Sequence, residues 1–168
     1  MRWDRQSPAA VPGQLAAMLR AGARGLCVDE AAVELVLRHG YWVCREDFTG
    51  PFVHGWADPE LTGDRPAAGI DWQGAVEGLD RGELPCAASE LAVLRIAASL
   101  GAGVPVDLRA VLGGFDHVNI ALVAGAVLHA NGTIGGTVSV PAPPRYPPGI
   151  RVVAADGRVL AEGGACER

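Results

Sequence analysis

Apolar residues recur at helical spacing through most of the chain, and the pattern predicts five or six helices. The first runs from about Pro12 to Ala23, with Leu15, Met18, Leu19 and Gly22 forming one stripe before Gly25 ends it. The second is expected to start at Asp29 as N-cap. It turns Val33, Val36 and Leu37 inward, pairs Glu34 with Arg38 at i,i+4, and stops at Gly40. Asp71 caps a short amphipathic helix with Trp72, Ala75, Val76 and Leu79 on one face, closed by Gly82. From about Ser89 to Leu100, two stripes (Leu91, Leu94, Ala98 and Val93, Ile96, Leu100) leave only Glu90, Arg95 and Ser99 for water, so that helix is expected to be buried. Asp107 to Leu112 makes one or two turns, stopped by Gly113-Gly114. Asp116 then opens a helix that is apolar around its whole axis as far as Asn131-Gly132. Such a helix is expected at the centre of the core.

Two stretches break the helical rhythm. Tyr41, Trp42, Phe48, Phe52 and Trp56 crowd a segment that reads as irregular, broken at Gly50-Pro51, and 58–69 is rich in Pro, Gly and charge and reads as a loop. Beyond Asn131 the character changes again. Thr133 to Val140 alternates like a strand, Pro141 to Pro148 reads as a polyproline linker, and Asp156-Gly157 lies between two apolar runs as a hairpin turn. The expected fold is mainly α: a compact bundle of five to six helices over 1–132, with a Pro-rich linker and a small C-terminal β-hairpin over 133–168 packing on the bundle or on a partner.

The order helix, short helix, long helix, strand over 89–140 is that of a winged helix-turn-helix, which makes a DNA-binding regulator the alternative expectation. Arg95, Arg109, Arg145 and Arg151 would have to supply the phosphate contacts. Against this, Asp116 to Asn131 holds no Arg or Lys, so the presumed recognition helix neutralises no phosphate.

Composition sharpens the picture. Of 168 residues, 49% are hydrophobic and 20% charged, with a net charge of −5. Charge is scarcer than the usual quarter of a soluble domain, which suits a chain that covers part of its surface with a partner or with itself. The acidic balance argues against a general binder of nucleic acid or acidic membranes. All 14 basic residues are arginine, which excludes Schiff-base and P-loop lysine chemistry and points to a GC-rich coding bias. Met1 to Pro12 carries no apolar run, so no signal peptide is expected. Val118 to Leu128 falls short of the roughly 20 residues a membrane span needs, and a cytoplasmic location is expected by default.

The candidate chemistry is thin. Cys27, His39, Cys44 and His54 are zinc-ligand types, but their spacing fits no finger pattern, and neither a metal nor a cofactor is expected. Cys27 before a helix start, with His39 or His54 as base, would suit a nucleophile, yet structural cysteines are common there. Glu46, Asp47, Asp58, Glu60 and Asp71 lie beside aromatics that would suit a sugar, but capping and surface roles account for them. His129, near the C-terminal end of the last helix, and Asn119 are polar exceptions expected to be satisfied locally or to face solvent or a partner. The leading expectation is therefore a non-catalytic interaction subunit or adaptor that assembles with itself or another protein through Trp42, Phe52, Trp56, Tyr146, Ile150 and Val152. An enzyme with an unfamiliar site in 27–56 stands third, with no small-molecule substrate identified.

Overall fold

The computed structural model describes residues 12–56, 66–133, 151–153 and 159–162. The chain divides into two compact units, 1–136 and 137–168. The first unit is mainly helical: α1 (Pro12–Ala23), α2 (Cys27–His39), a 3-10 turn (Trp42–Cys44), α3 (Glu46–Phe52), strands β1 (Val53–Trp56) and β2 (Ala67–Ile70), α4 (Trp72–Asp80), α5 (Ala88–Ala102), α6 (Leu108–Leu112) and α7 (His117–Ala130).

Three aspartates start helices as their sequence positions predict. Asp71 accepts the Gly74 N–H at 2.9 Å, Asp107 those of Arg109 and Ala110, and Asp116 those of Val118 and Asn119, so each satisfies backbone donors the first turn leaves open. Gly40 closes α2 at φ 77°, a conformation a Cβ would penalise. The start of α2 differs from expectation. The helix begins at Cys27, two residues before Asp29, and the carboxylate that reaches back is Glu30, whose Oε1 accepts the Gly25 N–H at 2.9 Å.

Helices α2 and α5 form the centre, with α2 packed on α5 on one side and on α7 on another. Ala31, Ala32, Leu35 and Val36 of α2 meet Ala92, Val93, Leu94, Ala97 and Ala98 of α5 in one buried cluster. The aromatic segment is regular where an irregular one was expected. Trp42 and Phe48 are fully buried with their rings tilted against each other at 5.4 Å, Phe48 meets Phe52 at 6.0 Å, and all three belong to the main core. The Trp42 indole Nε1–H donates to the Glu90 carbonyl at 3.0 Å, tying this segment to α5.

The expectation of β-structure confined to a C-terminal appendage is corrected, because the helical unit carries a two-strand antiparallel sheet in mid-chain. Val53 pairs with Ile70, His54 with Gly69, Gly55 with Ala68 and Trp56 with Ala67, so part of the predicted 58–69 loop is strand. Helix α1 lies on β2, and Gly22 permits the approach. A Cβ there would come within 3.0 Å of the Ala68 carbonyl carbon and of Trp56 Cη2, and nearer still to the carbonyl oxygen. In the second unit, Arg151–Val153 (β3) pairs antiparallel with Val159–Glu162 (β4). The predicted 133–140 strand beyond Thr133, the polyproline linker and the Asp156-Gly157 turn lie outside the described residues.

Candidate functional site

Helix α7 is the feature that departs furthest from its predicted place. Expected at the centre of the core, it buries only Val123 and Ala126, while Val118 is 53% exposed, Ile120 41% and Val127 52%. Successive residues advance by 100° around a helix, so Val123, Ala126 and Ala130 point toward the bundle. Val118, Ala121, Ala124, Gly125 and Leu128 fall on the opposite side. Between His117 and Ala130 there is no Asp, Glu, Lys or Arg. The outward side of α7 is thus an uncharged apolar strip some 14 residues long.

Polar contacts hold both ends of the helix, and the one to a neighbouring helix fixes which side faces out. At the N-terminus the Asp116 carboxylate caps the first turn, with Asn119 N–H at 2.7 Å. Near the C-terminus His129 Nε2 lies 3.2 Å from Glu30 Oε2 on α2, so this histidine is satisfied by a neighbouring helix. Glu30 is held below the ordinary carboxylate range, first by the Gly25 N–H and then by the His129 contact. Around this pair, Arg20, Ala23, Arg24, Val33 and Glu34 complete a cavity of about 210 Å³ between α1, α2 and α7. Its charges are largely matched: Arg20 forks onto Glu34, which Arg38 also approaches at 3.4 Å.

A larger cavity of about 370 Å³ lies between α5 and α6, lined mostly by Leu91, Ala92, Val106, Ala110 and Val111. Its two charged groups have structural partners, since Arg95 pairs with Asp80 and Asp107 caps α6. On the other side of the unit, Arg45 binds Asp47 with two nitrogens, donates to the Tyr41 hydroxyl and the Pro85 carbonyl at 2.7 Å each, and lies over the Tyr41 and Trp42 rings. Nearby, His39 Nδ1 and Glu90 Oε2 are buried without a hydrogen-bond partner among the described residues. Burial pushes the His39 imidazole pKa down, against the opposing pull of Glu90 and Asp116. Burial and Glu90 push the Cys86 thiol pKa up, which keeps it protonated and weakly nucleophilic.

The sequence-named residues separate in space. Cys27 and His39 stand at opposite ends of α2, about 18 Å apart along its axis. Cys27 and Cys44 are exposed free thiols, and His54 sits on β1. Among the described residues no group of three or more His, Cys, Asp or Glu is placed to hold a metal ion. Trp42 is fully buried and Phe52 is 8% exposed, and both belong to the main core. Trp56 is half-buried, its ring over Gly22 and Gly69. Val152 and Arg151 lie on β3, Arg109 is exposed on α6, and Arg145, Tyr146 and Ile150 are outside the described residues. The α7 strip was missed as a surface because its one sequence signal, the lack of charge, is shared with core helices.

No described helix is long and apolar enough to cross a membrane. No protein-family model matches the chain, and no curated protein or solved structure does either.

Proposed function

We propose that this chain is a protein-interaction module whose contact surface is the outward side of α7. One observation carries the reading: a charge-free helix at the surface with Val118, Ile120 and Val127 each 41–53% exposed. Fully burying an aliphatic side chain is worth about 1.5–3 kcal/mol, so each of these leaves on the order of 1 kcal/mol unrealised in the isolated unit. A partner that covers the strip recovers that energy without having to desolvate or pair a charge on α7. The low share of charged residues, 20% of the chain, agrees with a surface meant to be covered.

The test is a photo-crosslinking residue at position 124, compared with the same probe at exposed Glu77 on α4. In the native host, a discrete protein adduct formed from position 124 and absent from position 77 is expected. Equal, diffuse labelling from both positions, or none from either, would overturn the proposal.

A further inference from the structure

We propose that His39 and Glu90 form a buried proton-binding pair, in which one proton added to the imidazole closes a hydrogen bond from His39 Nδ1 to Glu90 Oε2. The two residues belong to different helices, His39 at the last position of α2 and Glu90 in the first turn of α5. Their Nδ1 and Oε2 are the two buried side-chain polar atoms left without a hydrogen-bond partner among the described residues. Buried polar atoms are rarely left so, and two of them on neighbouring elements need a physical reason.

Acceptor chemistry supplies that reason. A neutral imidazole has one N–H and one bare nitrogen, and a carboxylate has acceptors only. In the proposed neutral form the N–H is on Nε2, so Nδ1 turns a lone pair toward a group that also offers lone pairs, and no bond forms. A proton on Nδ1 makes it a donor and satisfies both orphaned atoms with a single charge-assisted bond.

The surroundings favour this pairing. Burial pushes the His39 imidazole pKa down, while Glu90 first and Asp116 second pull it up. The helix ends act with the carboxylates, because the C-terminal end of α2 favours a cation and the N-terminal end of α5 an anion. The other groups at this junction have partners or lie open. Asp116 caps α7, and His117 beside it is exposed. Tyr41, its ring edge-on to the imidazole at 6.2 Å, accepts at its hydroxyl from Arg45, which also holds Asp47 and the Pro85 carbonyl. Cys86 responds to the Glu90 charge but stays a protonated thiol. The pair thus takes its proton below the ordinary histidine value of about 6.5, and in doing so ties the end of α2 to the start of α5.

Nuclear magnetic resonance on the full chain, labelled at the histidine ring nitrogens and glutamate carboxyl carbons and titrated from about pH 8 to 4.5, tests this. At the upper end His39 is expected as the Nε2–H tautomer. As the pH falls, Nδ1 should gain its proton with a midpoint below about 6.5, and the Glu90 Cδ resonance should move with the same midpoint. Glu90→Gln should weaken proton binding at His39 about tenfold or more, and Asp116→Asn, which keeps most of the α7 cap, should weaken it less. Nδ1 already carrying its hydrogen at the upper end would refute the pair, since no proton would then be needed to make the bond. A Glu90 carboxyl that stays still through the His39 midpoint, or a midpoint that Glu90→Gln leaves in place, would refute it equally. The tautomer and the Glu90 resonance are read on the unaltered chain, so the test stands even if Glu90→Gln does not fold.

Discussion

Replacing Gly22 by alanine should destabilise this protein although alanine is the better helix former. Gly22 lies in the last turn of α1, and on propensity alone the change is worth up to about 1 kcal/mol in favour of the variant. The packing term opposes it. The new Cβ would overlap the Ala68 carbonyl oxygen and come within 3.0 Å of Trp56 Cη2. The first obstacle is backbone held in the β1–β2 ladder, where Gly55 pairs with Ala68, and it has no rotamer to relax into. Overpacking costs about 1–3 kcal/mol, and with a backbone atom as the obstacle the upper end applies, so after the propensity gain a net loss of about 2 kcal/mol is expected. For a chain of this size that lowers Tm by about 2–4 °C per kcal/mol. Gly13→Ala is the internal control: it is on the same helix, exposed, with nothing within 4 Å of its Cβ, and should be neutral or slightly stabilising. Urea unfolding followed by tryptophan fluorescence compares the two midpoints, and trimming Trp56 to leucine should relieve only part of the Gly22→Ala loss. A Gly22→Ala protein as stable as Gly13→Ala would refute the placement of α1 on β2.

Three further outcomes are expected. Asp116→Ala removes the acceptor for two backbone donors and should cost about 1 kcal/mol by urea unfolding, with Asp116→Asn retaining most of the cap. Trp42→Phe removes the indole donor to the part-buried Glu90 carbonyl and shrinks a fully buried ring, and should cost about 1–3 kcal/mol, read as a lower denaturant midpoint at unchanged slope. Stability should fall with pH in two steps. The His39 imidazole pKa is depressed by burial, so the unfolded chain takes up its proton first and stability begins to drop as pH falls through about 6.5. Glu30 and Glu34 also have depressed values, so their contribution is present above their unfolded range near 4.5 and is lost as pH falls through the lower folded values. Thermal melts from pH 8 to 3 check this: His39→Gln should erase the upper step and keep the lower one.

Helix positions were legible wherever a local signal decided them. Asp71, Asp107 and Asp116 cap helices, Gly40 stops one, and the double stripe of α5 is buried, because capping and periodicity act within a few residues of one another. Non-local pairing was not legible. Ala67-Ala68-Gly69-Ile70 has weak strand propensity and is extended because β1 pairs with it and α1 needs a small, flat surface there. The aromatic cluster looked like surface anchors because its segment lacks a period, yet Trp42 is held from α5 by a backbone carbonyl 48 residues away. Burial of that kind is decided by the partner element.

Helix α7 shows the same division within one element. A helix with a polar face orients itself, since that face seeks water, but α7 has only His117, Asn119 and His129, spread around the axis. Its sequence therefore fixes that it is a helix and where it begins, and leaves undecided which side turns inward. The decision comes from α2: Glu30 offers a carboxylate at the height of His129, and matching it brings Val123 and Ala126 down onto the core. The same match leaves Val118, Ile120 and Val127 outside. An exposed apolar strip thus follows from satisfying one polar pair, and the surface proposed for assembly depends on a contact on the helix's other side. Glu30→Leu, which removes the carboxylate and leaves His129 unmatched, should loosen the orientation of α7 and weaken the crosslinked adduct formed from position 124 even though residue 30 lies outside the strip.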